Sequence, residues 1–236
     1  MKKDIFIKGF KDGIPIGLGY LAVSFSFGIM AVSGGLSVLE ATLISLLNVT
    51  SAGQFAGLGI IIAGGSAIEM AMTQLIINLR YALMSVALSQ KYDSNMPIIH
   101  RFFNAFGVTD EIFAISVGQS GKLSPYYVYG AMSVAIPGWV TGTFLGAILG
   151  NILPSFVISA LSVALYGMFV AIVVPVAKSN KSVFYVAIAA IILSSAFYYI
   201  PGLKLISSGF VIIIVTVLVS AIAAFLAPIE EKGNEA

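Results

Sequence analysis

Gln74-Leu75-Ile76-Ile77-Asn78-Leu79-Arg80-Tyr81 decides how this chain is read. It sets a guanidinium in the middle of a segment that is otherwise apolar enough to lie in lipid. An arginine at the centre of a membrane helix costs roughly 2.5–3.5 kcal/mol on insertion scales, so it is kept where a carboxylate, backbone carbonyls or a wet cavity compensates. A pair of acids in a second apolar stretch, Asp110-Glu111, follows thirty residues after Arg80. These two segments are expected to meet within the bilayer and to form part of a path for a small polar solute.

Composition supports that setting. The 236 residues are 59% hydrophobic and 9% charged, with a mean hydropathy of +1.04; an ordinary soluble domain carries about 25% charged residues. Runs 13–39, 41–68, 123–177, 182–203 and 205–229 hold no Asp, Glu, Lys or Arg. A hydrocarbon core of about 30 Å needs roughly 20 helical residues, so run 123–177 has room for two spans and the others for one each. The expected fold is an all-α polytopic membrane protein of seven or eight transmembrane helices. At least two are interrupted by Gly or polar breaks, and the whole forms one membrane-embedded transporter domain. With no Cys, disulfides and thiolate metal sites are excluded. A single His leaves no zinc cluster and no nucleophile–histidine pair, so neither a cofactor nor an enzyme is expected. A formal charge of +2 carries no argument for nucleic acid.

Along the chain, a basic tail over 1–12 precedes helix 1, from about Gly13 to Val32. Its flank and Ala31-Val-Ser33 have the outline of a signal peptide, but the apolar run is longer than a signal core. Helix 2 opens on Ser37-x-x-Glu40 and helix 3 on Ser66-x-x-Glu69, both with capping-box spacing. The repeated device reads both glutamates as caps. Helix 2, to about Ala63, is interrupted by Asn48-Val-Thr50-Ser51-Ala-Gly53-Gln54. Helix 3, to about Gln90, lines up Gln74, Asn78, Tyr81 and Ser85 on one stripe, with Arg80 and Thr73 on another. A shorter apolar piece, 102–120, is broken at Gly107 and by the acids. Further spans cover about 125–150 (with a kink expected at Pro137-Gly138), 154–178, 182–199 and 205–227, before a loose tail at 228–236. Tyrosines 126, 127, 129, 185, 198 and 199 sit near span ends, where interfacial aromatics belong. If 102–120 crosses, eight spans put both termini inside with most of the lysines, and Lys91, Arg101 and Lys204 outside; if it is re-entrant there are seven. The positive-inside bias favours eight.

Three constellations carry chemistry. The break in helix 2 is either a cavity-facing half-helix end, such as transporters use for substrate groups, or a packing seam built on Ala52, Gly53, Ala56 and Gly57. Gly107-Val-Thr109-Asp110-Glu111 reads as a stop and a new start, with Thr109 as cap and two acids in the first turn. It either finishes a helix at the interface or opens a half-helix inside the membrane. There Asp110 would pair with Arg80, bind an ammonium or carry a proton. Arg80 is either a structural partner or a reader of a substrate carboxylate. His100 is expected at an interface.

Several phrases in order resemble the AzlC family, the large subunit of branched-chain amino acid exporters. They are Gly13-x-Pro15 with Phe27-Gly28, Ser51-Ala-Gly53-Gln54-Phe55-Ala56, Thr73-x4-Asn78-Leu79-Arg80-Tyr81, and Thr109-Asp110-Glu111-x-Phe113-Ala114. The resemblance implies a permease in a bacterial or archaeal cell membrane. Its substrates would be valine, leucine and isoleucine, with methionine a further candidate, and its partner a small AzlD-type membrane subunit. Having no Gly-x4-Gly-Lys-Ser/Thr loop, this chain does not bind ATP by that route, and ion-coupled secondary transport is expected. A zwitterion needs donors, acceptors and an apolar pocket. Gly53, Gln54, Phe55, Asn78, Arg80, Thr109 and Asp110 are the candidate binding residues, with Phe113 as a further wall and Asp110 and Glu111 as candidates for ion coupling. Val49-Thr50-Ser51 departs from the more hydrophobic residues expected before Ala-Gly-Gln. The alternatives are a passive channel for a small polar solute and a structural subunit whose partner does the transport.

Overall fold

The computed structural model describes residues 2–150 and 180–226, with single positions between 152 and 178. Most of the expected helix at 154–178 and all of the tail at 228–236 lie outside the described residues. Nine α-helices form among those described. They fall into two units, one within Met1–Leu58 and Ile77–Leu165, the other within Gly59–Ile76 and Tyr166–Ala236.

The first unit is built on α1 (Lys2–Ser33) and α7 (Pro125–Leu149). Glycines fall on a four-residue register on both: Gly9, Gly13 and Gly17 on one, and Gly130, Gly138, Gly142 and Gly146 on the other, where Val134 takes the one skipped position. That spacing gives each helix a flat stripe along which backbones can touch. Gly13 meets the backbone of Ala131, Gly138 that of Gly17, and Gly28 that of Thr143 and Gly146. Contacts that advance together along both chains make the helices parallel. Residues 2–12, expected as a tail, belong to α1, and Gly9 already packs on Tyr127. Both helices continue through their prolines, Pro15 and Pro137.

Helix α2 (Val38–Leu47) starts on the expected capping box of Ser37 and Glu40. It ends at Asn48 in extended backbone, and α3 (Ser51–Ile62) begins three residues later. These halves do not run on as one interrupted span. Val49 and Ser51 lie level with Tyr20 of α1, Phe55 packs edge-on against Phe27 at 5.3 Å, and Leu58 joins Ala31, Ala41 and Ala147 in one buried cluster. Helix α3 thus returns toward the end of α1 from which α2 set out. The pair is a hairpin with its tip at Asn48-Val49-Thr50.

From Ile77 onward, α4 (Ala67–Lys91) runs antiparallel to α1 and finishes beside the start of α7. Two shorter helices follow, α5 (Ile98–Phe106) and α6 (Asp110–Val117). Arg101 on α5 donates to the carbonyls of Ser89 and Asp93. Beyond α6, the Leu123 N–H donates to Lys91 O at 2.9 Å, and the Lys91 ammonium reaches Val117 O. The chain therefore leaves and rejoins the same end of α4, and 98–117 is a second hairpin with its tip at Gly107-Val108-Thr109. The eight-span reading, which needs 102–120 to cross, does not survive this closure. Five helices among the described residues are long and apolar enough to span a membrane: α1, α4, α7, α8 (Lys181–Tyr199) and α9 (Ser208–Leu226). The expected seven spans counted the α2–α3 hairpin as a crossing, and the expected eight counted 98–117 as well, because hydropathy registers an apolar run and not its direction; one further expected span, 154–178, falls largely outside the described residues.

In the second unit, α8 and α9 pack antiparallel across a 3-10 turn, Leu203–Leu205. The corner between α3 and α4 belongs here too. Ser66 caps α4 by accepting from Glu69 N–H, but the Glu69 carboxylate does not complete the expected box. It turns instead to Ser207 and Gly209.

Candidate functional site

The two hairpin tips meet at one small cavity. Its walls are Tyr20, Val49, Ser51, Tyr81, Thr109, Asp110, Glu111 and Trp139, and its volume is about 10 Å³, the room of about one water molecule. Each tip ends in a threonine that caps the helix after it. Thr50 Oγ1 accepts from Gly53 N–H at 3.2 Å, and Thr109 Oγ1 from Ile112 N–H at 3.3 Å. Extended backbone at Asn48 halts α2, α5 stops at Gly107, and extended backbone at Thr109 opens α6; at each tip the threonine hydroxyl satisfies one of the orphan donors of the next helix. Helices α3 and α6 thus both point their N-terminal, positive ends at the cavity.

Arg80 joins this arrangement through Asp110, with Nη1 2.8 Å from Oδ2. Its guanidinium also donates to the Tyr81 hydroxyl at 3.3 Å and lies 5.0 Å from that ring's centre. Its Nε is buried without a partner. Glu111 accepts from the Tyr20 hydroxyl, which lies 2.6 Å from Thr109 Oγ1. Thr50 donates to Asn78 Oδ1 at 2.7 Å and lies within reach of the Tyr81 hydroxyl. Two acids and one guanidinium gather here, Asp110 on Arg80 and Glu111 on Tyr20, one more acid than base. The cluster offers donors for a carboxylate and acceptors for an ammonium or another cation.

Of the residues singled out in the sequence, Thr109, Asp110 and Glu111 line the cavity, Arg80 pairs with a lining acid and Asn78 braces the first tip. Gln54, Gly53 and Phe55 stand apart. Gln54 is 1% exposed; its amide donates to Ser45 and accepts from Trp139 Nε1 at 3.0 Å, and Ser45 bonds Thr143 at 2.6 Å. That network ties α2, α3 and α7 together. Gly53 serves the Thr50 cap, Phe55 packs on Phe27, and Phe113 packs in the core. Sequence reasoning passed over Tyr20 and Trp139, whose rings meet edge-on at 5.3 Å. Trp139 was detectable as the lone tryptophan, two residues past Pro137 in mid-helix.

A family profile described as AzlC protein matches residues 15–153, which include every residue lining the cavity. The chain belongs to the AzlC family. A membrane protein of Archaeoglobus fulgidus, itself named only as uncharacterized, is 34% identical over 181 residues, covering 76% of this AzlC chain and 79% of the relative. Inner membrane protein YgaZ of Escherichia coli K12 is 31% identical over 150 residues, covering 62% of this chain and 61% of YgaZ. An uncharacterized membrane protein of Helicobacter pylori is 24% identical over 156 residues, covering 62% of this chain and 66% of the relative. No solved structure matches. This AzlC-family chain is thus a multi-pass membrane protein with relatives in the membranes of bacteria and archaea.

Proposed function

We propose that this chain is the permease subunit of an ion-coupled exporter of branched-chain amino acids, leucine, isoleucine and valine above all, working with a small AzlD-type membrane partner. The family carries the expectation of transport. The observation that supports it is the meeting of two threonine-capped half-helix starts, arriving from opposite ends, beside the Arg80–Asp110 pair. Broken helices with ions at their tips are a recurrent plan for secondary transporters, and non-helical backbone at membrane depth is tolerated where protein or a cavity receives its polar groups.

In this reading both hairpins are re-entrant. The α5–α6 hairpin then brings Lys91 and Arg101 to the same end as Lys2, Lys8 and Lys122, while the opposite loop, 34–37, has no basic residue. The positive-inside rule places the basic end in the cytoplasm. The cavity as it stands admits a water and not an amino acid, so the structure corresponds to an occluded state. Displacing one hairpin opens it to one side, and displacing the other opens it to the opposite side. Arg80 and the first turns of α3 and α6 take the substrate carboxylate, Asp110 takes its ammonium, and Glu111, held by Tyr20, exchanges the coupling ion.

Leucine counterflow into vesicles holding the chain and its partner tests this reading. Loss of a charge-assisted hydrogen bond costs about 1.5–3 kcal/mol, so Arg80→Lys and Asp110→Asn should each weaken apparent leucine affinity roughly ten- to hundredfold. Unchanged counterflow in both variants removes the pair from the mechanism. Flux linear in leucine concentration, without counterflow, makes the path a passive channel.

A further inference from the structure

Glu69, in the first turn of α4, is a buried acid that the proposed path does not use. It is 4% exposed. Its Oε1 accepts from the Ser207 hydroxyl and, at 3.1 Å, from the Gly209 N–H at the start of α9, while Oε2 faces Gly65 in the corner between α3 and α4. No Lys, Arg or His among the described residues lies within salt-bridge distance of it. Helix α9 carries no charged residue over 208–226, and Glu69 is the only one on α4 before Arg80. Lys204, on the turn before α9, lies 5.8 Å from the centre of the Tyr198 ring.

Thr73 stands one turn further along α4. Its residue is fully buried, and its hydroxyl has no hydrogen-bond partner. Both side chains reach the same spot: a Cβ placed on Gly209 would lie 2.6 Å from Glu69 Oε1 and 2.8 Å from Thr73 Oγ1. Glycine at 209 keeps that space clear, and any side chain there would collide with the carboxylate. A buried carboxylate without a countercharge is costly, and a buried hydroxyl without a partner calls for an explanation. One occupant answers both. A small hard cation, sharing the oxygens of Glu69, Thr73 and Ser207, neutralises the acid and engages the hydroxyl. A single carboxylate matches a single positive charge.

We propose that Glu69, Thr73 and Ser207 form a binding site for a monovalent cation, H⁺ or Na⁺, outside the Arg80–Asp110 cavity. Its place in coupling rests on the transport reading; the binding itself does not. The test is modification of the full-length chain in lipid nanodiscs by the apolar reagent dicyclohexylcarbodiimide, which attacks the protonated carboxyl, with Glu69 followed by peptide mass spectrometry. Glu69 should be modified, and the modification should fall several-fold as pH rises in sodium-free buffer. If the resident ion is sodium, it should also fall several-fold when NaCl, but not choline chloride, is added at fixed pH. Thr73→Val should weaken sodium protection. Glu69→Gln, which keeps an acceptor for Ser207 and Gly209, should abolish the modification. Absence of modification under all these conditions, or modification indifferent to both pH and sodium, overturns the proposal. Because no amino acid is present in the assay, cation-dependent modification without leucine counterflow would retain this site and refute the transport reading, and the reverse result would do the opposite.

Discussion

The α1–α7 seam makes a prediction that can be worked through on one helix. A Cβ on Gly28 would sit 2.6 Å from Ala147 N and closer still to the Thr143 carbonyl oxygen, whereas a Cβ on Gly19 would meet nothing within 4 Å. Both positions lie inside α1, so alanine brings the same helix-propensity gain of about 1 kcal/mol to each. At Gly28 the obstructing atoms are backbone, so the helices themselves must part. They must move by at least roughly 0.8 Å, the difference between 2.6 Å and the 3.4 Å of ordinary contact. A gap of that size forfeits about a quarter to a half of the dispersion attraction between the atoms it separates. Overpacking of this kind costs about 1–3 kcal/mol, and the seam is long enough for the upper half of that range. Gly28→Ala should therefore unfold with about 2–3 kcal/mol less stability than Gly19→Ala, the propensity gain cancelling between them. Denaturant titration in mixed micelles measures the difference. The fluorescence of Trp139, the only tryptophan and itself packed on Tyr20 of α1, reports the seam. Equal stability of the two variants would show that α1 and α7 do not touch as described.

Two further outcomes follow from the same unit. Gln54→Leu strips the buried Trp139 Nε1 of its partner and leaves Ser45 only Thr143; it should cost about 1–3 kcal/mol and shift Trp139 emission, and an unaltered spectrum would refute the network. Because the chain has no Cys, single cysteines at Asn95 and Ser120 can be labelled with an impermeant maleimide in intact cells. Both should react from the same side and Ser33→Cys from the other; opposite labelling of Asn95 and Ser120 would mean that 98–117 crosses.

The sequence located the breaks but not the turns. Asn48, Thr50, Gly107 and Thr109 announce interrupted helices because their side chains and backbones compete with helical hydrogen bonding, and both breaks lie where they were expected. The Arg80–Asp110 meeting was legible because the charge of each, in an apolar run, asks for the other. Whether the chain goes straight on or doubles back at a break is decided by contacts far along the sequence, Leu123 with Lys91 and Leu58 with the Ala41 cluster, and no local pattern encodes that. The glycine seam was readable in principle, since the four-residue spacing stands in both helices, but each glycine read singly looks like a helix flaw. Glu69 repeats the Ser-x-x-Glu spacing of Glu40, yet its carboxylate is claimed by residues 207–209, and a local motif cannot see a competitor so distant.

The two hairpins also explain why the site is built as it is. Tyr20-x3-Ser24, then Val49-Thr50, then Phe55-Ala56 is echoed by Tyr81-x3-Ser85, Val108-Thr109 and Phe113-Ala114. Each copy is a long helix followed by a hairpin, and the copies run in opposite directions. The tyrosine of each copy reaches the threonine cap of the other, Tyr20 toward Thr109 and Tyr81 toward Thr50. The charges break this symmetry: where the second copy has Arg80 and Asp110, the first has Gly19 and Ser51. Neutral bonds from Gln54 hold the first hairpin, and an ion pair with the Tyr20–Glu111 bond holds the second. Under the proposed function a zwitterion or a coupling ion would compete with the second set and would have no charge to exchange with the first. In the proposed cycle the ligand therefore acts on the α5–α6 hairpin, and the α2–α3 hairpin follows through packing alone.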